Sequence, residues 1–241
     1  MNRNVVKILG YGVDTFTFED AVEYIYSHHG QVITINPEMI QNSRHNKEVS
    51  DIINNAEMVV PDGIGVQLGL KILGHKVSRI AGIDLGKELL RRCVNDNKKV
   101  ALIGAKPEIL AKTCSKLKEE FPQLNIVYSH DGYYSDDEQI LSEICRNSPD
   151  LVLVALGSPK QEIFINKIKH NLPETIFIGL GGSFDVWSGT VERAPKIYQK
   201  LGIEWLYRTI KEPSRFRRIF PTLPLFVLKV FKERLSFNAN K

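Results

Sequence analysis

Short β-branched runs recur through the first 180 residues: Val5 to Leu9, Gln31 to Ile35, Met58 to Val60, Lys99 to Ile103, Asn125 to Tyr128, Asp150 to Leu156 and Thr175 to Leu180. Continuous apolar runs of this length, bounded by polar turns, predict buried strands. Between them apolar residues fall at helical spacing, as at Ala21, Tyr24 and Ile25 or at Leu85, Leu89 and Cys93. Helix-start chemistry opens several of these stretches: Thr17 three residues before Asp20, Pro37 after Asn36, Pro107 after Lys106. Strand and helix alternating in this way predict an α/β fold, a Rossmann-like and largely parallel sheet with helices on both faces. Ligands of such sheets bind beyond the carboxyl ends of the strands.

After Glu192 the strand pattern stops. One helical pattern runs from about Ala194 to Ile210, and Glu212-Pro213 is expected to break it. The segment that follows sets Arg215, Arg217, Arg218, Lys229, Lys232 and Arg234 among Phe216, Ile219, Phe220, Leu223, Leu225, Phe226, Val227 and Phe231. We therefore expect a catalytic α/β domain over residues 1–193 and a helical, basic and apolar appendage over 194–241. An interfacial amphipathic element has this composition, its apolar face entering the headgroup region while its cations meet anionic lipid. The same one-sidedness fits a carboxy-terminal helix pair packed on the core or at a dimer interface.

Charge sharpens that division. Residues 1–192 carry 20 basic and 25 acidic side chains, whereas the last 49 carry 12 and 3. The positive potential thus sits in the tail, which calls for an anionic partner. Nucleic acid fits poorly, because no reading motif accompanies the basic patch. Three cysteines, Cys93, Cys114 and Cys145, offer no C-x-x-C pair, so neither a disulfide framework nor a zinc ribbon is expected. No run approaches the roughly 18 apolar residues of a spanning helix, and Met1 to Lys7 lacks the apolar stretch of a signal peptide. The expected location is cytoplasmic, peripheral on the inner face of the plasma membrane.

Four segments stand where strands should end: Thr34 to Glu38, Pro61 to Gly65, Leu156 to Glu162 and Gly179 to Asp185. Each puts polar groups where ligands bind in this architecture. Singly they have plainer readings, since Asn36-Pro37 and Asp62 make good helix caps and Ser158 with Gln161 matches a capping box. The glycines let backbone approach a phosphate or ribose at a helix start. Gly63-Ile-Gly65-Val-Gln-Leu-Gly69 nevertheless has the spacing G-x-G-x-x-x-G, one residue off the dinucleotide fingerprint, and Asp84 falls in a predicted helix. That disfavours a nicotinamide-dependent oxidoreductase or epimerase. No Asp-x-Asp occurs, Asp136-Asp137-Glu138 reads as the acidic first turn of a helix, and the six histidines show no ligand spacing. No metal or other cofactor is expected, so a departing diphosphate needs arginine or lysine to balance its charge.

Taken together, the ordered segments resemble the WecG/TagA/CpsF glycosyltransferases. The likeness runs through Thr34 to Glu38, Pro61 to Gly65, Arg79 to Asp84, Leu102 to Ala105, Gly157 to Glu162, Gly181 to Asp185, Arg193 to Pro195 and Gly202 to Arg208, with Glu212-Pro213 and Arg215. The resemblance implies an inverting, metal-independent transfer of N-acetylmannosamine from UDP-ManNAc to undecaprenyl-diphosphate-linked GlcNAc, the reaction of teichoic-acid linkage-unit synthesis. Other members transfer a mannosaminuronic acid or glucose, and a non-catalytic UDP-binding membrane scaffold is the alternative from another class. By the same resemblance Asp62 is the base, Thr34 and Asn36 orient sugar hydroxyls, and Gln161 belongs to the sugar pocket. Arg79 anchors a phosphate or sugar, while Gly181, Gly182 and Asp185 form a nucleoside site. Arg208, Arg215 and Arg218 are implied to close over the departing UDP. The expected partners are the UDP-sugar, the polyprenyl-diphosphate acceptor and the membrane face, with a homo-oligomer left open.

Overall fold

The computed structural model describes residues 3–211 and 216–239; the side chains at 200, 208, 216–221 and 237–239 lie outside that description. Six strands form one sheet: β3 (Gly30–Ile35), β4 (Met58–Pro61), β5 (Lys99–Gly104), β6 (Asn125–His130), β7 (Leu151–Ala155) and β8 (Ile176–Gly179). Their order is β4-β3-β8-β7-β5-β6, and every neighbouring pair is parallel. Each of these strands was legible as a β-branched run.

The first run behaves differently. Val5–Ile8 (β1) pairs antiparallel with Tyr11–Asp14 (β2), forming a separate two-stranded sheet rather than a strand of the parallel one. The turn between them has positive φ at both Leu9 and Gly10, the geometry that matches hairpin twist. Fully buried Asp14 fastens the hairpin to the sheet, accepting from Val59 N at 2.8 Å and from Arg3 Nε at 2.6 Å.

Side chains of the sheet alternate between two layers, as the period of a strand requires. Val32, Met58, Val60, Leu102, Leu153 and Ile178 face one side. There they meet α1 (Phe18–His28), α5 (Gly82–Asn95), α6 (Pro107–Glu120) and the short α9 (Ser183–Trp187). On the other side Ile33, Ile35 and Val59 meet α2 (Pro37–Ser43), α3 (Lys47–Asn54) and α4 (Ile64–Ile72). Further along that side Ala101, Val152 and Phe177 meet α7 (Asp137–Asn147) and α8 (Lys160–Ile168). Adjacent β3 and β8 therefore send their following helices, α2 and α9, to opposite faces. A crevice opens between two such strands, and that is where the site lies.

The carboxy-terminal part holds α10 (Lys196–Lys200), α11 (Glu204–Lys211) and α12 (Phe216–Ala239). The single helix expected over 194–210 is instead two, because Gly202 takes φ +70° and turns the chain after α10. The Glu212-Pro213 break lies outside the described residues. Helix α12 lies on the α2–α4 face: Phe226 and Val230 are fully buried in the same cluster as Val66 and Leu70. Polar contacts reinforce the docking. Glu233 accepts from Leu9 N with both carboxylate oxygens (3.1 and 2.9 Å), Lys229 Nζ donates to Gln41 Oε1 (2.6 Å), and Arg234 Nη1 donates to the Leu73 carbonyl (3.1 Å). The opposite side of α12 exposes Leu225, Leu228, Phe231 and Leu235. Among the described residues no helix is long and apolar enough to cross a membrane.

Candidate active site

The four strand-end segments converge on one cavity of about 470 Å³, within the size range of small-molecule sites. Its wall includes Thr34, Asn36, Asp62, Arg79, Gln161, Gly181 and Gly182. Asp185 lies in the first turn of α9 and is not part of that wall. The side chains of Arg208 on α11 and Arg218 on α12, and the whole of Arg215, lie outside the described residues.

Local geometry separates capping from ligand-facing roles. The Asn36 side chain does cap α2, accepting from Met39 N at 3.0 Å. Its amide nitrogen is not used by that cap. Asp62 is not the N-cap residue of α4: that position is held by Gly63. Gly63 has φ +84°, a conformation that an L side chain adopts only with strain, and it turns the chain so that Asp62 stands before the helix. Ile35 and Pro61 are register partners, and Asp62 N donates to the Ile35 carbonyl at 2.8 Å. Asn36 and Asp62 are thus the first residues beyond two neighbouring strand ends.

The capping box expected from Ser158 and Gln161 is not formed. Gln161 instead reaches the next strand end, its Oε1 accepting from Gly181 N at 2.9 Å while its Nε2 donates to Glu162 Oε1 at 2.8 Å. It packs so closely on Gly179 that an added Cβ there would lie 2.5 Å from its amide nitrogen. Gln161 therefore fixes the Gly181-Gly182 loop and keeps one N–H and one lone pair for a ligand.

Glu162 behind it is buried, and burial raises its carboxyl above the ordinary value near 4.5, against hydrogen bonds from Gln161 and Ser158. The folded state then holds a proton that the unfolded chain has released. This group's contribution to stability is complete below about pH 4.5 and declines as pH climbs through the raised folded value. Glu162→Gln, which keeps an acceptor for Gln161, is expected to flatten that decline. Denaturant midpoints of both proteins from pH 4 to 8 check it, and parallel profiles contradict it.

Sequence reading expected the tail to close over the site through arginines but did not single out the residues by which α11 and α12 line it. Glu204 and Trp205 of α11 and Thr222 and Leu223 of α12 line the same cavity as the strand ends. Trp205 brings an aromatic wall, a surface on which a sugar ring packs. Its only sequence signal is its place in the Gly202 to Arg208 segment. Among the described residues no three His, Cys, Asp or Glu side chains are grouped to hold a metal ion.

Similarity to known proteins extends along most of the chain. Residues 6–240 match the model of the "Glycosyl transferase WecG/TagA/CpsF family". An N-acetylglucosaminyldiphosphoundecaprenol N-acetyl-beta-D-mannosaminyltransferase of Bacillus spizizenii is 40% identical over 207 residues, 85% of this chain and 80% of the relative. A Bacillus subtilis protein of the same name is 39% identical over 219 residues, 88% of this chain and 85% of its own length. With the match spanning both the parallel sheet and the helices that close its cavity, the chain belongs to the WecG/TagA/CpsF glycosyltransferase family.

Proposed function

We propose that this protein transfers N-acetylmannosamine from UDP-ManNAc to undecaprenyl-diphosphate-linked GlcNAc, with inversion and without a metal ion. The observation that carries the reading is the convergence of Thr34, Asn36, Asp62 and Gln161 on one cavity in a chain whose relatives are named for that transfer. In this mechanism an acceptor hydroxyl oxygen attacks the anomeric carbon as the bond to the diphosphate breaks. UDP leaves with the bonding electron pair, and the hydroxyl proton passes to the Asp62 carboxylate. Thr34 and Asn36 hold sugar hydroxyls in line, converting a bimolecular encounter into an oriented one. Arg79 and the tail arginines Arg208, Arg215 and Arg218 balance the charge that develops on UDP. Gln161 acts mainly by holding the Gly181-Gly182 loop, beside which Asp185 serves the nucleoside.

A peripheral place on the inner membrane face follows from the same reading. The acceptor is a lipid, and α10 to α12 expose Ile197, Leu201, Ile210, Leu228 and Phe231 in the most basic part of the chain. Because α11 and α12 also line the cavity, docking on lipid and completing the site involve the same helices. The test is UDP release with a lipid-diphosphate-GlcNAc analogue and a panel of UDP-sugars, with and without EDTA. Acceptor-dependent release that is fastest with UDP-ManNAc and survives EDTA is expected. UDP binding with no release for any donor would favour the scaffold alternative.

A further inference from the structure

Beside the strand ends, four charged side chains form a chain that starts at the cavity wall, which Arg79 and Glu204 line. Arg79 Nη1 donates to the Gln199 carbonyl at 3.0 Å, and its Nη2 donates to the Glu204 carboxylate. The other Glu204 oxygen accepts from Arg193 Nε at 3.4 Å, and the Arg193 fork binds Asp84 through two bonds of 2.6 and 2.7 Å. Asp84 holds the Arg193 guanidinium firmly protonated, above its ordinary range. The Arg79 and Glu204 side chains are only 18% and 13% exposed.

Pairs withdrawn from water to this degree contribute little net stability, because desolvation consumes most of the attraction. What such a pair does fix is direction. A guanidinium held at both Nη atoms has its plane set, and with it the direction of its remaining N–H groups. Arg79 Nε is one of those groups, buried and without a hydrogen-bond partner among the described residues. Glu204 also opens α11, whose next residue, Trp205, lines the cavity. At the far end of the chain Asp84 stands in the first turn of α5, where Gly82 abuts Thr34.

We propose that Glu204 is a positioning residue of the transferase: it sets the Arg79 guanidinium toward the donor diphosphate and ties that orientation to the seating of α11. The proposal rests on the transferase reading above. It assigns Glu204 no contact with substrate, so its effect runs through Arg79.

The experiment is a double-mutant cycle of Glu204→Ala and Arg79→Ala, read as donor KM and kcat with UDP-ManNAc, with thermal midpoints alongside. Each single variant is expected to lower kcat/KM for the donor about tenfold or more, the scale of one charge-assisted hydrogen bond. In the Arg79→Ala background the second substitution should add less than about twofold, since the residue it positions is gone. Glu204→Gln, which keeps an acceptor for the guanidinium, should fall between wild type and Glu204→Ala, and it replaces the alanine variant in the cycle if that one fails to fold. Multiplying penalties, or an unchanged kcat/KM in Glu204→Ala, would overturn the proposal while wild-type turnover stands. A wild-type protein inactive on every donor overturns the transferase reading itself, and the positioning role with it.

Discussion

Asp62→Asn is expected to lower turnover by about 10² to 10⁴-fold, the usual span for loss of a general base. UDP affinity should stay within about twofold of wild type, because the substitution removes a proton acceptor and leaves the volume of the side chain in place. The fold is expected to hold, because asparagine is nearly isosteric with aspartate and the backbone N–H bond to Ile35 is kept by any residue other than proline. Were Asp62 merely a cap, asparagine, an equally good capping residue, would leave both stability and rate close to wild type. Measuring kcat and the denaturation midpoint on the same preparations separates the two. A variant that turns over normally removes Asp62 from the chemistry.

The second large effect is on stability. Phe226 is fully buried, its ring edge lying 3.1 Å from where a Cβ on Gly69 would stand. Phe226→Ala opens a cavity between α12 and α4, which costs about 3 to 5 kcal/mol. At this chain length the thermal midpoint should fall by roughly 10 °C. Phe231 is half exposed on the opposite side of α12, and Phe231→Ala should move the midpoint by no more than about 0.5 kcal/mol equivalent. If the two variants melt alike, α12 does not rest on the core through Phe226. The contrast also separates the packed side of the helix from its exposed side, which a truncation of the whole tail would confound.

The parallel sheet was legible because its strands are β-branched runs, most of them buried on both faces, where the apolar pattern is continuous; the edge strand β6 is partly exposed. The hairpin was not, since β2 contains Gly12 and ends in the fully buried carboxylate of Asp14, and neither reads as strand. Its partner β1 was legible as a strand but not as one outside the main sheet, because local pattern carries no information about pairing. Gly202 lies within an otherwise helical pattern, and sequence alone does not reveal whether a glycine there is tolerated or turns the chain.

The site was partly legible for a similar reason. Strand-end position marks Thr34, Asn36, Asp62 and Gly181 before any coordinates, because the architecture itself puts ligands there. Whether Asn36, Asp62 or Gln161 caps a helix is settled only by three-dimensional contacts: Asn36 does, whereas Asp62 is not the capping residue of α4 and Gln161 forms no capping box. Glu204, more than 100 residues from Arg79 in the chain, has no local signature that connects them. A long-range ion pair of this kind appears only when the fold is assembled.

The most direct test of the central claim is the mass and anomeric configuration of the product formed when purified enzyme meets UDP-ManNAc and a lipid-diphosphate-GlcNAc acceptor. Addition of one N-acetylhexosamine per acceptor in β linkage, lost in Asp62→Asn, is the predicted result. An acceptor that keeps its mass while the protein binds UDP in the cavity would contradict it.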